Sequence, residues 1–374
     1  MRILVSTLTP FPAWDAHVVH ITATARGFAE AGHDVTLVAA QAGPGWPDGT
    51  PPDGFDVDVR ILAGRDYRGQ SLVNALRLRR LAHELRPDLC FADSVRSGLA
   101  LASAGAPVIV EFHSMEFHTR RLGRAALRRL LPHPALRGLV TISDALRQDL
   151  ASATGIAAER ITVAPEAARP RSDDELGAAP PAWLAAAMRP GAVQVGYTGS
   201  LFGGRGVELM TELARRVPDV DVHVLGGPAA QADELRQRDD LPANLHVHGV
   251  RPVADAERMQ VAMDVLLAPY AASVETPGGV DTGRWMSPMK VFEYLAAGRA
   301  MICSDLPVLR EVLTDGETAL LVQHDDVDAW MAALRRLVDD PALRERLGAQ
   351  GRATHRDRFT WARRTTTLLG AAQG

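Results

Sequence analysis

The sequence predicts an α/β protein built from two doubly wound, Rossmann-like domains facing a central cleft. Three observations lead to that class. Short apolar runs alternate with longer amphipathic patterns, as in a parallel sheet covered on both faces. The alternation breaks at a polar, Pro/Ala-rich stretch, "RPRSDDELGAAPPAWLAAAMRPG" (169–191), and then restarts. At 374 residues the chain also exceeds the length that one core usually sustains. The expected domains are residues 1–180 and 181–355, with 356–374 as a closing helix.

In the first half, "RILVST" (2–7) precedes a helix over 18–31, and "HDVTLVAA" (33–40) follows. "VDVRIL" (57–62) precedes a helix near 71–86, then "DLCFAD" (88–93). "APVIVEFH" (106–113) leads to a basic helix, "GLVTIS" (138–143) to a helix over 144–154, and "ITVAPEA" (161–167) closes the half. In the second half, "AVQVGYTGS" (192–200), "VDVHVLGG" (220–227) and "NLHVHG" (244–249) each feed a helix. "DVLLAPY" (264–270), a helix over 287–297, "AMICSD" (300–305) and "ALLVQ" (319–323) complete it. In open α/β sheets ligands bind beyond the carboxyl ends of the strands, so site residues should follow strands directly.

Composition narrows the function. A net charge of −4 gives no global reason to expect a nucleic-acid partner. Cys90 and Cys303 both fall in apolar runs and read as buried, reduced thiols. The opening "MRILVSTLTPFP" is too short for a signal peptide, and no run approaches the roughly 20 apolar residues of a membrane span. The expected location is therefore cytoplasmic.

Two stretches carry chemistry. In "SPMKVFEYLAAG" (287–298), Ser287 reads as an N-cap and Pro288 as the first helical residue. Met289 and Lys290 then offer free N–H groups at the positive end of the helix dipole, and Lys290 adds a full charge. Glu293 lies on the same side, where a carboxylate can accept from adjacent ribose hydroxyls. The plain alternative is a capped helix with an i,i+3 ion pair. The second stretch, "YTGSLFGGRGVELM" (197–210), joins a strand to a helix through Gly203, Gly204, Arg205 and Gly206, a phosphate cradle with one guanidinium. It lacks the Gly-Lys-Ser/Thr of a P-loop, and "HVLGG" has no acid for a dinucleotide ribose.

Together these stretches resemble the GT-B glycosyltransferases, and within them the retaining family 4. The resemblance runs through "GSLFGGRG", "VLGG", "NLHVHG", "DVLLAP", "EYLAAG" and "DLPVLRE" in order. "GHDVTLV", "EFHS" and "TISDALRQDL" match in the first half, and "FTW" leads into a final helix that in this fold crosses back onto the first domain. Four departures stand out. Trp285 occupies the place of the first of two usual glutamates, Ser200 that of an arginine and Arg205 that of a lysine. The Gly-Gly loop after the first strand is replaced by "PFPAWDAHVVH".

The resemblance implies that residues 1–180 bind the acceptor and 181–355 the nucleotide sugar. Arg205 and Lys290 would neutralise the leaving diphosphate, with donor contacts from Gly199, Ser200, Gly204, Val250, Arg251, Ser287, Pro288 and Met289. Glu293 would hold the ribose, and His113, at the end of "VIVEFH", would stand near the transferred sugar; its plain reading is a core or helix-cap histidine. The sugar would be a UDP-hexose or UDP-N-acetylhexosamine, moved with retention by front-face displacement to a hydroxyl of a small metabolite or a lipid-linked glycan. No cofactor and no metal are expected, since the donor is a co-substrate.

Asp15, His17 and His20, near Trp14, are expected to help hold the acceptor, although His20 can equally pack as a core residue. "DVD" recurs at 56–58, 219–221 and 326–328 and reads as solvated charge. Between Glu116 and Asp144 there is no acid, and Arg120, Arg124 and Arg128 share a helix face. Such a face can rest on anionic lipid as a peripheral membrane contact, bind an anionic acceptor, or simply be solvated. Competing readings of the chain are a same-fold sugar-nucleotide epimerase or phosphorylase, a non-catalytic nucleotide-sugar-binding relic, and, least favoured, a dinucleotide oxidoreductase.

Overall fold

A computed structural model describes residues 1–8, 11, 16–39, 57–62, 70–115, 121–275 and 281–373. The chain forms two compact units, one of residues 1–166 with 361–374 and one of residues 167–360. The boundaries thus fall earlier than 180 and later than 355. The polar stretch 169–191, expected as a linker with a short helix, is part of a folded unit. It belongs to the second unit and carries two short helices, Asp173–Leu176 and Ala182–Ala185. A capping box between Ser172 and Glu175 starts the first of them.

The first unit contains a seven-stranded parallel sheet ordered β3-β2-β1-β4-β5-β6-β7. Its strands are β1 (Arg2–Thr7), β2 (Asp34–Ala39), β3 (Asp58–Ile61), β4 (Leu89–Ala92), β5 (Val108–Phe112), β6 (Leu136–Thr141) and β7 (Ile161–Val163). The second unit has six parallel strands ordered β10-β9-β8-β11-β12-β13. These are β8 (Val193–Thr198), β9 (Val220–Leu225), β10 (Leu245–Gly249), β11 (Val265–Ala268), β12 (Ala300–Ser304) and β13 (Leu320–Val322). β1, β4, β5, β8, β9, β11 and β12 are mainly apolar and buried on both faces, apart from the exposed first residue of β1 and the half-buried first residue of β8. The strand order reverses between β1 and β4 in one sheet and between β8 and β11 in the other. Ligands of such sheets bind at these switch points.

The last helix, Trp361–Ala371, packs on the first helix, Ala16–Glu30, and on β6. Gly27 permits that approach, because a Cβ there would lie 2.4 Å from Thr365 Oγ1. The helices Val95–Ala102, Val327–Asp339 and Pro341–Arg358 have no counterpart among the expected elements. Among the described residues no helix is long and apolar enough to cross a membrane.

The "DVD" runs differ in burial. Asp219 and Asp328 are exposed and paired with arginines, but Asp221 is fully buried. It is the second residue of the doubly covered β9, and the Arg189 side chain and backbone N–H bond its carboxylate at 2.6 and 2.7 Å. Asn244 of "NLHVHG" is also structural, its amide donating to the Ala214 and Val220 carbonyls at 2.9 Å each.

Candidate active site

The second unit gathers its chemistry at the β8/β11 switch point. β8 ends in Thr198 and turns through Gly199, and β11 ends at Ala268 just before Pro269 and Tyr270. The helix Met289–Ala297 points its first turn here. Its cap position is Pro288, one residue later than expected, and no side chain caps it. The N–H groups of an uncapped first turn remain open to an anion.

Lys290 is 92% buried, and its Nζ has no hydrogen-bond partner among the described residues. It rests 3.7 Å above the Tyr197 ring centroid and 5.2 Å from that of Tyr270, with the Arg205 guanidinium 5.4 Å from the same Tyr270 ring. Burial, reinforced by Arg205, holds the Lys290 pKa well below the usual lysine range. Two cations thus share an aromatic cage that sequence reasoning did not anticipate. The signal was present: two of the four tyrosines stand at the ends of the strands that flank the switch point. Tyr197 is fixed by donating to the Ser200 carbonyl at 2.5 Å, which gives Ser200 a backbone role.

Two glycines of this corner have defined reasons. At Gly199 φ is +139°, and a Cβ would lie 2.7 Å from Lys290 Nζ, so only glycine leaves the amine its place. At Gly204 φ is +79°, and a Cβ would meet the Ser273 carbonyl at 2.3 Å. Gly204 therefore answers to backbone packing, whereas Gly203 borders open space.

Glu293 follows one turn on. Burial raises its pKa, opposed by a 2.9 Å bond from Gln260 Nε2 and by the nearby Arg171 charge. Gln260 also bonds Thr198 Oγ1 at 3.1 Å and accepts from Arg171 at 3.3 Å, so its amide is oriented from both ends. Glu257 in turn pairs with Arg171 at 2.7 Å. Gln260 was missed by sequence reasoning, because nothing in "ERMQVAMD" marks it as buried. After β10, Val250 is exposed and the Arg251 guanidinium lies 4.0 Å over the Trp183 ring. Trp285 occupies a turn before the helix.

The first unit gathers histidines near its own switch point. His113 follows β5, and His17 sits in the first turn of the helix after β1. Both are partly exposed, with ring centroids 5.2 Å apart. His17 Nε2 pairs with Asp93 Oδ2 at 2.8 Å. His20 is placed otherwise than expected for an acceptor ligand. It is 1% exposed, with Nδ1 2.8 Å from Glu166 and Nε2 2.9 Å from Glu111. Burial would lower the His20 pKa, but the two carboxylates outweigh it and raise it to about 9. Glu111 also takes His113 Nε2 at 2.9 Å and Arg364 of the last helix. Asp15 and Trp14 lie outside the described residues.

His20, Glu111 and His113 bring three metal-ligand-type atoms within 4.8 Å of one another. The Arg364 guanidinium and the protonated His20 already supply positive charge to the two buried glutamates there.

The basic helix runs Arg121–Leu130, with Arg120 outside the described residues. Of the expected face, Arg128 points outward and Arg124 does not. Gly123, Leu127 and Leu130 are buried and Arg124 is half-buried, so Arg121, Leu122, Arg128 and Arg129 face out, Leu122 at 82% exposure.

Known proteins share this architecture. The model "Glycosyltransferase Family 4" matches residues 17–168, and "Glycosyl transferases group 1" matches 192–340. A phosphatidyl-myo-inositol mannosyltransferase of Mycolicibacterium smegmatis is 31% identical over 275 residues, which span 71% of this chain and 64% of that protein's length. A D-inositol 3-phosphate glycosyltransferase of Stackebrandtia nassauensis is 35% identical over 171 residues, 44% of this chain and 35% of that one. The crystal structure of HepE from Anabaena in complex with UDP superposes with a TM-score of 0.77 at 15% identity, covering 99% of each chain. The chain belongs to the family 4 glycosyltransferases, the glycosyl transferases group 1, and has their GT-B fold of two Rossmann-like units.

Proposed function

We propose that this protein transfers a sugar, with retention, from a nucleoside-diphosphate sugar to a hydroxyl of an inositol-containing or lipid-linked acceptor. The observation that carries the reading is Lys290: a nearly buried amine, without a hydrogen-bond partner among the described residues, beside Arg205, at an uncapped helix start. A buried cation without a counter-ion is costly, and a diphosphate supplies the missing charge. In this reading Arg205, Lys290 and the first-turn N–H groups take up the charge that grows on the leaving diphosphate, and Glu293 accepts from the ribose. Val250 and Arg251 border the base, and His113 serves the transferred sugar. The diphosphate oxygen takes the acceptor proton, so neither a protein nucleophile nor a metal is invoked. The relatives named for inositol acceptors support the acceptor class, and the UDP complex of HepE supports the donor class.

Calorimetry with UDP, GDP, ADP, TDP, UDP-glucose and UDP-N-acetylglucosamine tests the donor site. One diphosphate should bind at micromolar Kd, weakened roughly 10- to 100-fold in Lys290→Ala, as expected for a charged hydrogen bond of about 1.5–3 kcal/mol. Binding by none, or binding indifferent to Lys290, would refute the reading. The outward face of Arg121–Leu130 favours a lipid-borne acceptor, because an exposed leucine among arginines suits an anionic surface. Leu122→Glu with Arg128→Glu should abolish cosedimentation with phosphatidylinositol-containing vesicles; unchanged cosedimentation would remove the lipid contact.

A further inference from the structure

We infer that Glu111, clamped by Arg364 and His20, is a positioning residue that fixes the ring of His113 in one tautomer, with the proton on Nε2 and Nδ1 left as the only acceptor. The inference rests on the reading of His113 as a group that serves the transferred sugar.

His113 Nε2 lies 2.9 Å from Glu111 Oε1, and both atoms are buried. A ring nitrogen lone pair at that distance from a carboxylate oxygen would be repelled, so Nε2 carries the proton. The neutral ring then has its lone pair on Nδ1. Neither His113 Nε2 nor His20 Nε2, also 2.9 Å from Oε1, meets hydrogen-bond geometry to it, so the two contacts act as short charge–dipole and ion pairs. One oxygen facing two N–H groups cannot also act as a donor, so Glu111 stays a carboxylate.

The clamp is balanced from every side. Arg364 bonds the other Glu111 oxygen, bonds the Pro165 carbonyl at 3.0 Å and lies 3.5 Å from Thr24 Oγ1. His20 has a carboxylate at each ring nitrogen, so both carry protons and the ring is an imidazolium. Two buried negative charges, Glu111 and Glu166, meet two buried positive charges, Arg364 and His20. Among the described residues His17, paired with Asp93, also faces His113 with ring centroids 5.2 Å apart, and it too lowers the His113 pKa. The imidazolium, 4.9 Å away between ring centroids, also opposes a second proton on His113. Burial, partly offset by Glu111, further lowers the His113 pKa.

His113 therefore reaches a substrate hydroxyl as a neutral acceptor and not as a cation. The arrangement needs the last helix, since Arg364 comes from it. A carboxylate that holds a catalytic histidine's tautomer contributes about 10⁴-fold to turnover in the serine proteases.

The direct test is nitrogen-15 NMR of the histidine rings in the full-length, ligand-free protein. His113 should show a protonated Nε2 and an unprotonated Nδ1, unchanged from pH 6 to pH 8. A proton on Nδ1, or titration of His113 to an imidazolium near pH 7, overturns the proposal. So does stoichiometric zinc or manganese in chelator-free protein that is lost in His20→Gln, because the three converging atoms would then be holding an ion. Glu111→Gln provides the kinetic test. Turnover should fall by roughly 10²- to 10⁴-fold while the donor KM and nucleotide affinity stay within twofold; a fall in nucleotide affinity equal to the fall in turnover would mark Glu111 as merely structural. Failure of wild-type nucleotide binding would sink the transferase reading and leave the tautomer result standing, so the two are separable.

Discussion

At the scale of single residues, burial rather than identity gives these side chains their chemistry. Lys290 holds its proton poorly because it is desolvated and faces Arg205. A bound diphosphate reverses both effects, so binding should draw in a proton. Calorimetry at pH 8 in buffers of differing ionisation enthalpy should report net proton uptake, and affinity should weaken as pH rises. Uptake equal to zero would mean that the amine is already charged without a ligand. Glu293 depends on Gln260 in the same way. Gln260→Leu removes a 2.9 Å donor from a carboxylate whose pKa burial has already raised. The donor KM should rise about tenfold, the worth of roughly one hydrogen bond, and the rise should shrink at higher pH as Glu293 ionises. His20 has the opposite sign to a buried neutral histidine. It titrates near 6.5 when unfolded and near about 9 when folded. Its contribution, on the order of 3 kcal/mol, is complete below pH 6.5 and is lost as pH rises towards 9. The urea midpoint of the first unit should therefore drop over that interval.

At the scale of elements, adjacent strands bring like groups together. β9 and β10 are in register at His223 and His246, and His248 follows. His223 Nδ1 and His248 Nε2 are 3.0 Å apart with rings nearly parallel, and Gln194 Oε1 holds the other His223 nitrogen at 2.8 Å. Burial, then the neighbouring histidines, lower the pKa values to about 3 for His223 and about 4 for His248. Both rings stay neutral in the fold while the unfolded chain takes up protons below about 6.5. The second unit should lose roughly 1.4 kcal/mol per ring for each pH unit below that point. Acid unfolding followed by tryptophan fluorescence would show this, and His223→Gln should flatten it. The first and last helices make a steric prediction instead. Gly27→Val places atoms where Thr365 Oγ1 stands, so the last helix should detach and take Arg364 from Glu111. A melting temperature equal to wild type would contradict that.

At the scale of the whole molecule, the second unit is expected to carry nucleotide affinity. A nucleoside diphosphate at 100 times its Kd should stabilise the folded chain by about 2.7 kcal/mol. Hydrogen-exchange protection should concentrate in 199–206 and 289–293. Protection that spares both segments would displace the donor site. Much of this layout is legible in the sequence, because period and strand-ending residues are local properties. The alternation of apolar runs and helices specified two parallel sheets, and Gly199, Arg205, Lys290 and Glu293 declared themselves through their places after strands and at a helix start. "VIVEFH" marked a strand end bearing a histidine. The tertiary structure decided what pairing across distant segments requires. Glu111, Glu166, His20 and Arg364 come from four separate segments, so no spacing links them, and His20 became a buried imidazolium instead of an acceptor ligand. Asp221 was moved from solvent to interior in the same way, by Arg189 reaching over the start of its strand. A side chain's period and neighbours along the chain are written locally, whereas its desolvation and its counter-charge exist only once the sheets and the last helix have closed around it.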